Sequence, residues 1–334
     1  MNLKMKLSIL DNLIWVILFA LVVINIFITP MFFSYNNLMN IIYHSAVLGF
    51  LVLGESLCLI TGNFDLSIES TLAFAPAIGI LFMTRWMPGL NPIIGIIITL
   101  GVGMLIGYFN GLFIGRLKIN PFLQTLSILI ILRGLTYYLI PMSVFNLPRV
   151  YTFLGGERII FKIPIAVIVL IVFIYIIHVI LTKGVYGRSL IAVGGNIRAS
   201  FISGINTERV IILAYTFSGL FAAIAGILSV GRQEAITNAM GTGMVFMAFA
   251  AAVMGGVSMS GGIGTALGML GGLLVLGVID NALTLLGVNV FLVYATKGIL
   301  IFIAILLDHS KISIREKLIY KEEVKKFKVK TKKA

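Results

Sequence analysis

The chain has 334 residues, of which 60% are hydrophobic and 11% charged, with a formal net charge of +13 and a single cysteine, Cys58. That balance lies far from the soluble-domain average and marks an all-α, polytopic integral membrane protein. It excludes a disulfide framework, and it ties the positive charge to membrane topology and anionic lipid, with no nucleic-acid partner.

Crossing ~30 Å of hydrocarbon takes about 20 apolar residues, and roughly ten such runs follow one another. A short basic start, residues 1–11 with Lys4 and Lys6, precedes a first span over 12–29. That run is too long, and wrongly flanked, for a cleaved signal peptide. A polar loop over 30–40 leads to a second span, 41–60, and then to the break TGNFDLS at 61–67. A third span ends near Thr84, a fourth covers 92–115, and a fifth, containing Arg133, covers 121–140. A proline-bearing loop over 141–162 precedes the sixth span, 163–181. After a long polar stretch at 182–210, four more spans are predicted at 211–230, 244–257, 263–286 and 290–307. The lysine-rich tail, 308–334, is expected to lie on the inner leaflet. Residues 12–307 thus read as one transmembrane domain.

Ten spans place both termini on one side. With that side cytoplasmic, inner segments hold 18 of the 25 basic residues and outer loops hold five, the asymmetry the positive-inside rule demands.

The stretch 182–210, TKGVYGRSLIAVGGNIRASFISGINTERV, is the one long hydrophilic interruption of the interior. Asn196 suits an N-cap and Gly204 a left-handed C-cap for a short helix over 197–203. Ile197 and Phe201 stand four apart and share a face of that helix, with Arg198 turned aside. Such a helix fits a groove on another protein, although spacing alone slightly favours an ordinary basic loop.

Glycines recur at helical spacing in the fourth span (Gly107, Gly111, Gly115) and the ninth (Gly264, Gly268, Gly272). Both faces read as helix packing, since small residues let backbones approach in lipid. No Gly-Lys dipeptide occurs, so no phosphate-binding loop is present, and the scattered histidines (His44, His178, His309) suggest no metal site.

Ionisable and amide groups at membrane depth are costly and are functional suspects by default. Asp65 and Glu69 would share a face if the third helix began before Asp65. A capping role for Asp65 is preferred over substrate contact. One structural account pairs these charges across helices, for example Arg133 or Lys297 with Glu55 or Asp280, to neutralise them. For Asn110, Gln124, Arg133 and Asn281, a pathway role and a packing role weigh equally.

Four segments in order resemble one family. The break GNFDLSIES is similar to the GG-I-D-L-S-V-G-S signature of permease subunits of ribose-type sugar ABC importers. GYFNGLFIGRLKINPFLQTLSILIILRGL at 107–135 resembles that family's G-x-x-N-G-x-x-I…P-x-x-x-T-L…L-R-G-L segment. The polar stretch resembles its GR…A-x-G-G-N…A…S-G-I-N loop, and VMGGVSMSGGIG at 253–264 its V-x-G-G-x-S-x-x-G-G-x-G motif.

The resemblance implies an importer of a monosaccharide, ribose or another simple sugar, across the cytoplasmic membrane. It implies a cytoplasmic ATPase that binds the ATP and Mg, with no cofactor in this chain. It also implies a second permease subunit, identical or not, and an extracytoplasmic sugar-binding protein. It turns helix 197–203 into a coupling helix, with Arg188, Asn196, Arg198, Phe201, Gly204 and Asn206 facing the ATPase. Asp65, Glu69, Asn110, Gln124, Arg133 and Asn281 become pathway candidates. Glu69 departs from the family's usual glycine, Ala282 follows Asn281 where glycine is common, and MVFMAFAAA lacks an acidic residue often found there. The chief rival is an ion-coupled secondary transporter, which ten spans and buried acids also suit. A membrane glycosyltransferase would need acidic residues in a large outer loop, where only Glu157 stands.

Overall fold

Hydrocarbon offers no hydrogen bonds, so a chain this apolar must satisfy its own backbone, and it does so with helices. The computed structural model describes residues 12–158, 163–289, 291–306 and 310. Expectations for residues 1–11, for Lys162 and for the rest of the basic tail fall outside them.

Thirteen helices are described: α1 (Leu13–Ile28), α2 (Tyr35–Ile60), α3 (Ile68–Leu81), α4 (Pro92–Gly115), α5 (Pro121–Leu139), α6 (Arg149–Gly156) and α7 (Ile165–Lys183). They continue as α8 (Val185–Gly195), α9 (Ile197–Ile202), α10 (Thr207–Gln233), α11 (Met244–Met254), α12 (Ala266–Leu285) and α13 (Phe291–Leu306). A π-turn, Phe82–Trp86, prolongs α3. Seven helices are long and apolar enough to cross a membrane: α2, α3 with its π-turn, α4, α5, α7, α10 and α12. Three shorter apolar helices, α1, α11 and α13, accompany them. Among the described residues there is no strand, only isolated bridges at Val144–Ile236 and Arg158–Pro164.

Local chemistry sets the starts. Asn91-Pro92 and Asn120-Pro121 use one signal twice: the asparagine side chain accepts a first-turn N–H, and proline occupies the first helical position. Ser34, Asn196, Asn206 and Thr265 cap α2, α9, α10 and α12 in the same way.

The long helix α10 is the hub, packing on α2, α3, α4 and α6. Its approach to α4 is backbone to backbone. A methyl group on Gly107 would strike the Tyr215 carbonyl, and one on Gly111 would lie 2.7 Å from the Ile212 Cα. Gly115 is looser, with its nearest α10 atom, the Glu208 carbonyl oxygen, at 3.1 Å. Gly268 and Gly272 of α12 meet Gly255 and Ala251 at the end of α11. Gly264 corrects the expected triplet: it stands before α12 begins and lies against the Ile60 side chain.

Loops gather at two ends. At one, Gly262 N–H donates to the Ile60 carbonyl (2.8 Å), and Gly194 and Gly195 of α8 lie against Gly262. At the other, Val144 and Ile236 exchange hydrogen bonds of 3.0 Å, and Tyr43 O–H bonds the Gly155 carbonyl.

Gly107→Leu is expected to destabilise the fold by at least the ~1–3 kcal/mol typical of overpacking, because the obstructing atoms are backbone. Gly134→Leu, where a Cβ meets nothing within 4 Å, is the control. Thermal melting of the two variants in detergent compares them.

Candidate functional site

Among the described residues, the sequence-predicted polar side chains fall mainly into three clusters near helix breaks or ends.

The first lies at the break between α2 and α3. Asp65 Oδ1 accepts from Ser67 N–H (3.1 Å) and Ser67 Oγ–H (2.6 Å), and Oδ2 accepts from Ser218 Oγ–H of α10 (2.7 Å). Ser67 Oγ in turn accepts from Asn110 Nδ2 (2.9 Å), and Asn110 Oδ1 from Gln124 Nε2 (3.3 Å). Tyr215 O–H donates to the Phe64 carbonyl at 2.6 Å, satisfying the unwound backbone. Three expected residues, Asp65, Asn110 and Gln124, are therefore one connected network. The N-cap position of α3 is Ser67 and not Asp65, and Asp65 lies outside the helix. Asp65 and Glu69 consequently do not share a helical face. Ser218 escapes sequence reasoning, because serine in an apolar run carries no partner signal, and Ser67, although within the GNFDLSIES segment, shows no partner by spacing.

Glu69 and Arg133 form the second cluster. Their side chains pair at 3.3 Å and are 8% and 12% exposed. Arg133 also donates to the carbonyls of Asn238 (3.1 Å) and Met240 (2.9 Å). Glu69 Oε2 accepts from Gly243 N–H (2.8 Å) and Val245 N–H (3.4 Å), the first amides of α11. A carboxylate at a helix N-terminus meets the positive end of the dipole. The expected partners of Arg133, Glu55 and Asp280, are thus replaced by Glu69, which lies across from it on α3. Lys297 does pair with Asp280, at 2.9 Å.

At the opposite end of the bundle, Asn37 and Asn281 form a two-way amide pair of 2.9 and 2.8 Å. Asn281 is well removed in the fold from the Asp65 network.

Beside these clusters stands an external feature. The polar stretch folds into two helices, α8 and α9, where one was expected. Asn196 Oδ1 accepts from Ala199 N–H (2.9 Å), and Gly204 leaves the helix at φ +83°, with Ile205 N–H closing on the Ser200 carbonyl (3.0 Å). Ile197, Phe201 and Ile202 project from α9 with 45, 70 and 85% exposure, beside exposed Arg198. Arg188 bonds the Lys183 carbonyl at 2.9 Å, and Asn206 starts α10 by accepting from Arg209 N–H (2.9 Å). An apolar face on a basic segment, unsupported by its own bundle, is a docking surface in form.

The chain matches the family model described as "Branched-chain amino acid transport system / permease component" over residues 37–307. It is 36% identical to the ribose import permease protein RbsC of Bacillus subtilis (strain 168) over 296 residues, 88% of this chain and 91% of that one. It is 33% identical to the galactose/methyl galactoside import permease protein MglC of Escherichia coli (strain K12), covering 89% and 94% of the two chains. The ribose import permease protein RbsC of Escherichia coli (strain K12) is 31% identical, over 88% and 92%. No solved structure matches significantly.

Arg133→Leu strands a buried carboxylate and two backbone carbonyls, and an uncompensated buried charge costs about 3–5 kcal/mol. The double variant Arg133→Leu/Glu69→Leu should recover part of that loss and not all, because the freed backbone groups stay unpaired. Unfolding midpoints of the single and double variants in detergent measure both effects.

Proposed function

The chain belongs to the family described as branched-chain amino acid transport system permease components, and we propose that it is the membrane subunit of an ATP-driven sugar importer. The family's description names amino acids. The relatives named for ribose and galactose import, similar to this chain over nearly their whole length, carry the choice of a monosaccharide. The same relatives favour this reading over an ion-coupled secondary transporter.

The protein is a multi-pass protein of the cytoplasmic membrane. We read its seven long and three shorter apolar helices as ten spans, α11 being completed by the unwound segment before it, with both termini in the cytoplasm from the sorting of lysine and arginine. ATP and Mg bind a separate cytoplasmic ATPase. Two permease subunits, identical or paired with a homologue, enclose the pathway, and an extracytoplasmic binding protein delivers the sugar. Specificity resides mainly in that binding protein, with the membrane part holding solute weakly.

One observation carries the proposal: the capped helix α9 with Phe201 and Ile202 turned outwards. A hydrophobic anchor on a rigid, short helix inserts into a groove of the ATPase and passes on its closure. Arg188, Arg198 and Asn206 frame the anchor with positive charge and a fixed exit. Asp65, Asn110 and Gln124 brace the break beside the pathway, and Glu69 with Arg133 braces the other.

Phe201→Asp and Gly204→Pro are expected to abolish sugar uptake in cells carrying the full system while leaving membrane insertion unchanged. A mild-detergent pull-down should recover a two-lobed ATPase with the wild type and lose it with Phe201→Asp. Normal uptake by both variants overturns the role of α9. The purified permease alone should bind D-ribose and D-galactose more weakly than micromolar, as calorimetry would register.

A further inference from the structure

A cavity of about 610 Å³ opens at the end of the bundle opposite α9. Small-molecule sites span roughly 300–1,000 Å³ and combine an apolar lining with a few convergent polar groups. Two helices give it one polar face each. Asn37, His44 and Ser45 come from α2, at spacings that keep them together, and Gly277, Asp280 and Asn281 come from α12. Arg232 and Gln233 enter from the end of α10 and Lys297 from α13, while Met244 and Met247 of α11 supply an apolar wall.

One charge pair in this cavity is closed. Asp280 is matched by Lys297 at 2.9 Å, and Arg232 bonds His44 and covers the Tyr43 ring at 4.8 Å. Arg232 has no acidic partner among the described residues, so the case for a neutral solute rests on the uncharged groups. Amides and hydroxyls remain: the Asn37–Asn281 pair, the Gln233 amide, which bonds Ser229 at 2.8 Å, and Ser45. Ser45 is 4% exposed, and its Oγ has no hydrogen-bond partner among the described residues. Leaving a buried hydroxyl unpaired costs free energy, so this group is poised for a ligand atom. Gly277 faces it: a Cβ there would come within 2.5 Å of Ser45 Oγ.

We propose that this cavity is the entry subsite for a neutral polyhydroxylated solute of monosaccharide size, gripped through Ser45, Asn37 and Asn281 with its C–H face on Met244 and Met247. The inference rests on the importer reading above and adds to it a location and a chemistry. The amide pair opens to exchange its mutual bonds for bonds to ligand hydroxyls, an exchange near balance in energy. That balance suits weak, transient holding.

The test uses the assembled system of permease, ATPase and binding protein in proteoliposomes, with D-ribose and D-galactose as probes. Gly277→Leu fills the cavity and Asn281→Leu removes a donor and acceptor. Each should cut uptake of the transported sugar about tenfold, the upper scale of one net hydrogen bond. ATPase recovery in a pull-down should be unchanged. Independently, Ser45→Cys introduces a reactive position into a chain whose own Cys58 is fully buried. The transported sugar should slow its modification by a small thiol reagent severalfold, and sucrose should not. Wild-type uptake by Gly277→Leu, or modification of Ser45→Cys untouched by a sugar that the system does transport, overturns the subsite. Uptake of neither sugar by the wild-type system overturns the importer reading itself.

Discussion

The rule that governs this molecule is that no backbone group can be left unpaired where water does not reach. The Glu69–Arg133 pair shows what obeying it requires. A buried ion pair alone is weak evidence of stability, because desolvation offsets attraction. Here each partner also satisfies main chain. The guanidinium takes two carbonyls of an unwound segment, and the carboxylate takes two amides at a helix start. The four groups are the loose ends of one interruption, between α10 and α11. With them tied, α11 can begin inside the bundle, which is why it is only 11 residues long. Its first turn then presents Met244 and Met247 to the cavity that Asn37 and Asn281 also line.

Lipid tails are as apolar as leucine, so association here cannot rest on hydrophobic transfer. Close packing takes its place. Gly103 and Gly107 of α4 lie against Gly219 and Tyr215 of α10, and Gly268 and Gly272 of α12 lie against α11. At the end that carries α9 the same device joins three segments, with Gly194, Gly62 and Gly261–Gly262 touching through backbone atoms. The α8–α9 unit is therefore mounted directly on the break that contains Asp65. A displacement of α9 reaches that break through main chain, without a compressible layer of side chains between.

Much of this is legible in the residue order. Hydropathy locates the helices, Asn196 and Gly204 announce α9, and the Asn-Pro pairs announce α4 and α5. What stays hidden is partnership. Arg133 is equally able to neutralise any buried acid, and only the three-dimensional arrangement of α3, α5 and the 234–243 segment selects Glu69. Asp65 carries a capping residue's chemistry, yet Ser67, two positions on, stands at the helix start. Gly264 keeps the spacing of a packing face, but Thr265 is the N-cap, so the face begins only after it. α8 lacks an apolar signal because its burial comes from neighbours rather than from lipid. Ser218 carries no signature at all, since one polar residue in an apolar run says nothing about what it will meet.

Four of the polar bonds in these clusters span much of the chain. Tyr215 reaches back 151 residues to Phe64, Ser218 reaches 153 to Asp65, Gly243 reaches 174 to Glu69, and Asn281 reaches 244 to Asn37. During synthesis, α2 and α3 therefore enter the bilayer with a carboxylate, an amide and unwound backbone whose partners have not yet been made. At typical translation speeds of ~5–20 residues per second, that wait lasts roughly ten seconds or more. The first half of this protein thus carries polar groups whose partners lie in its second half.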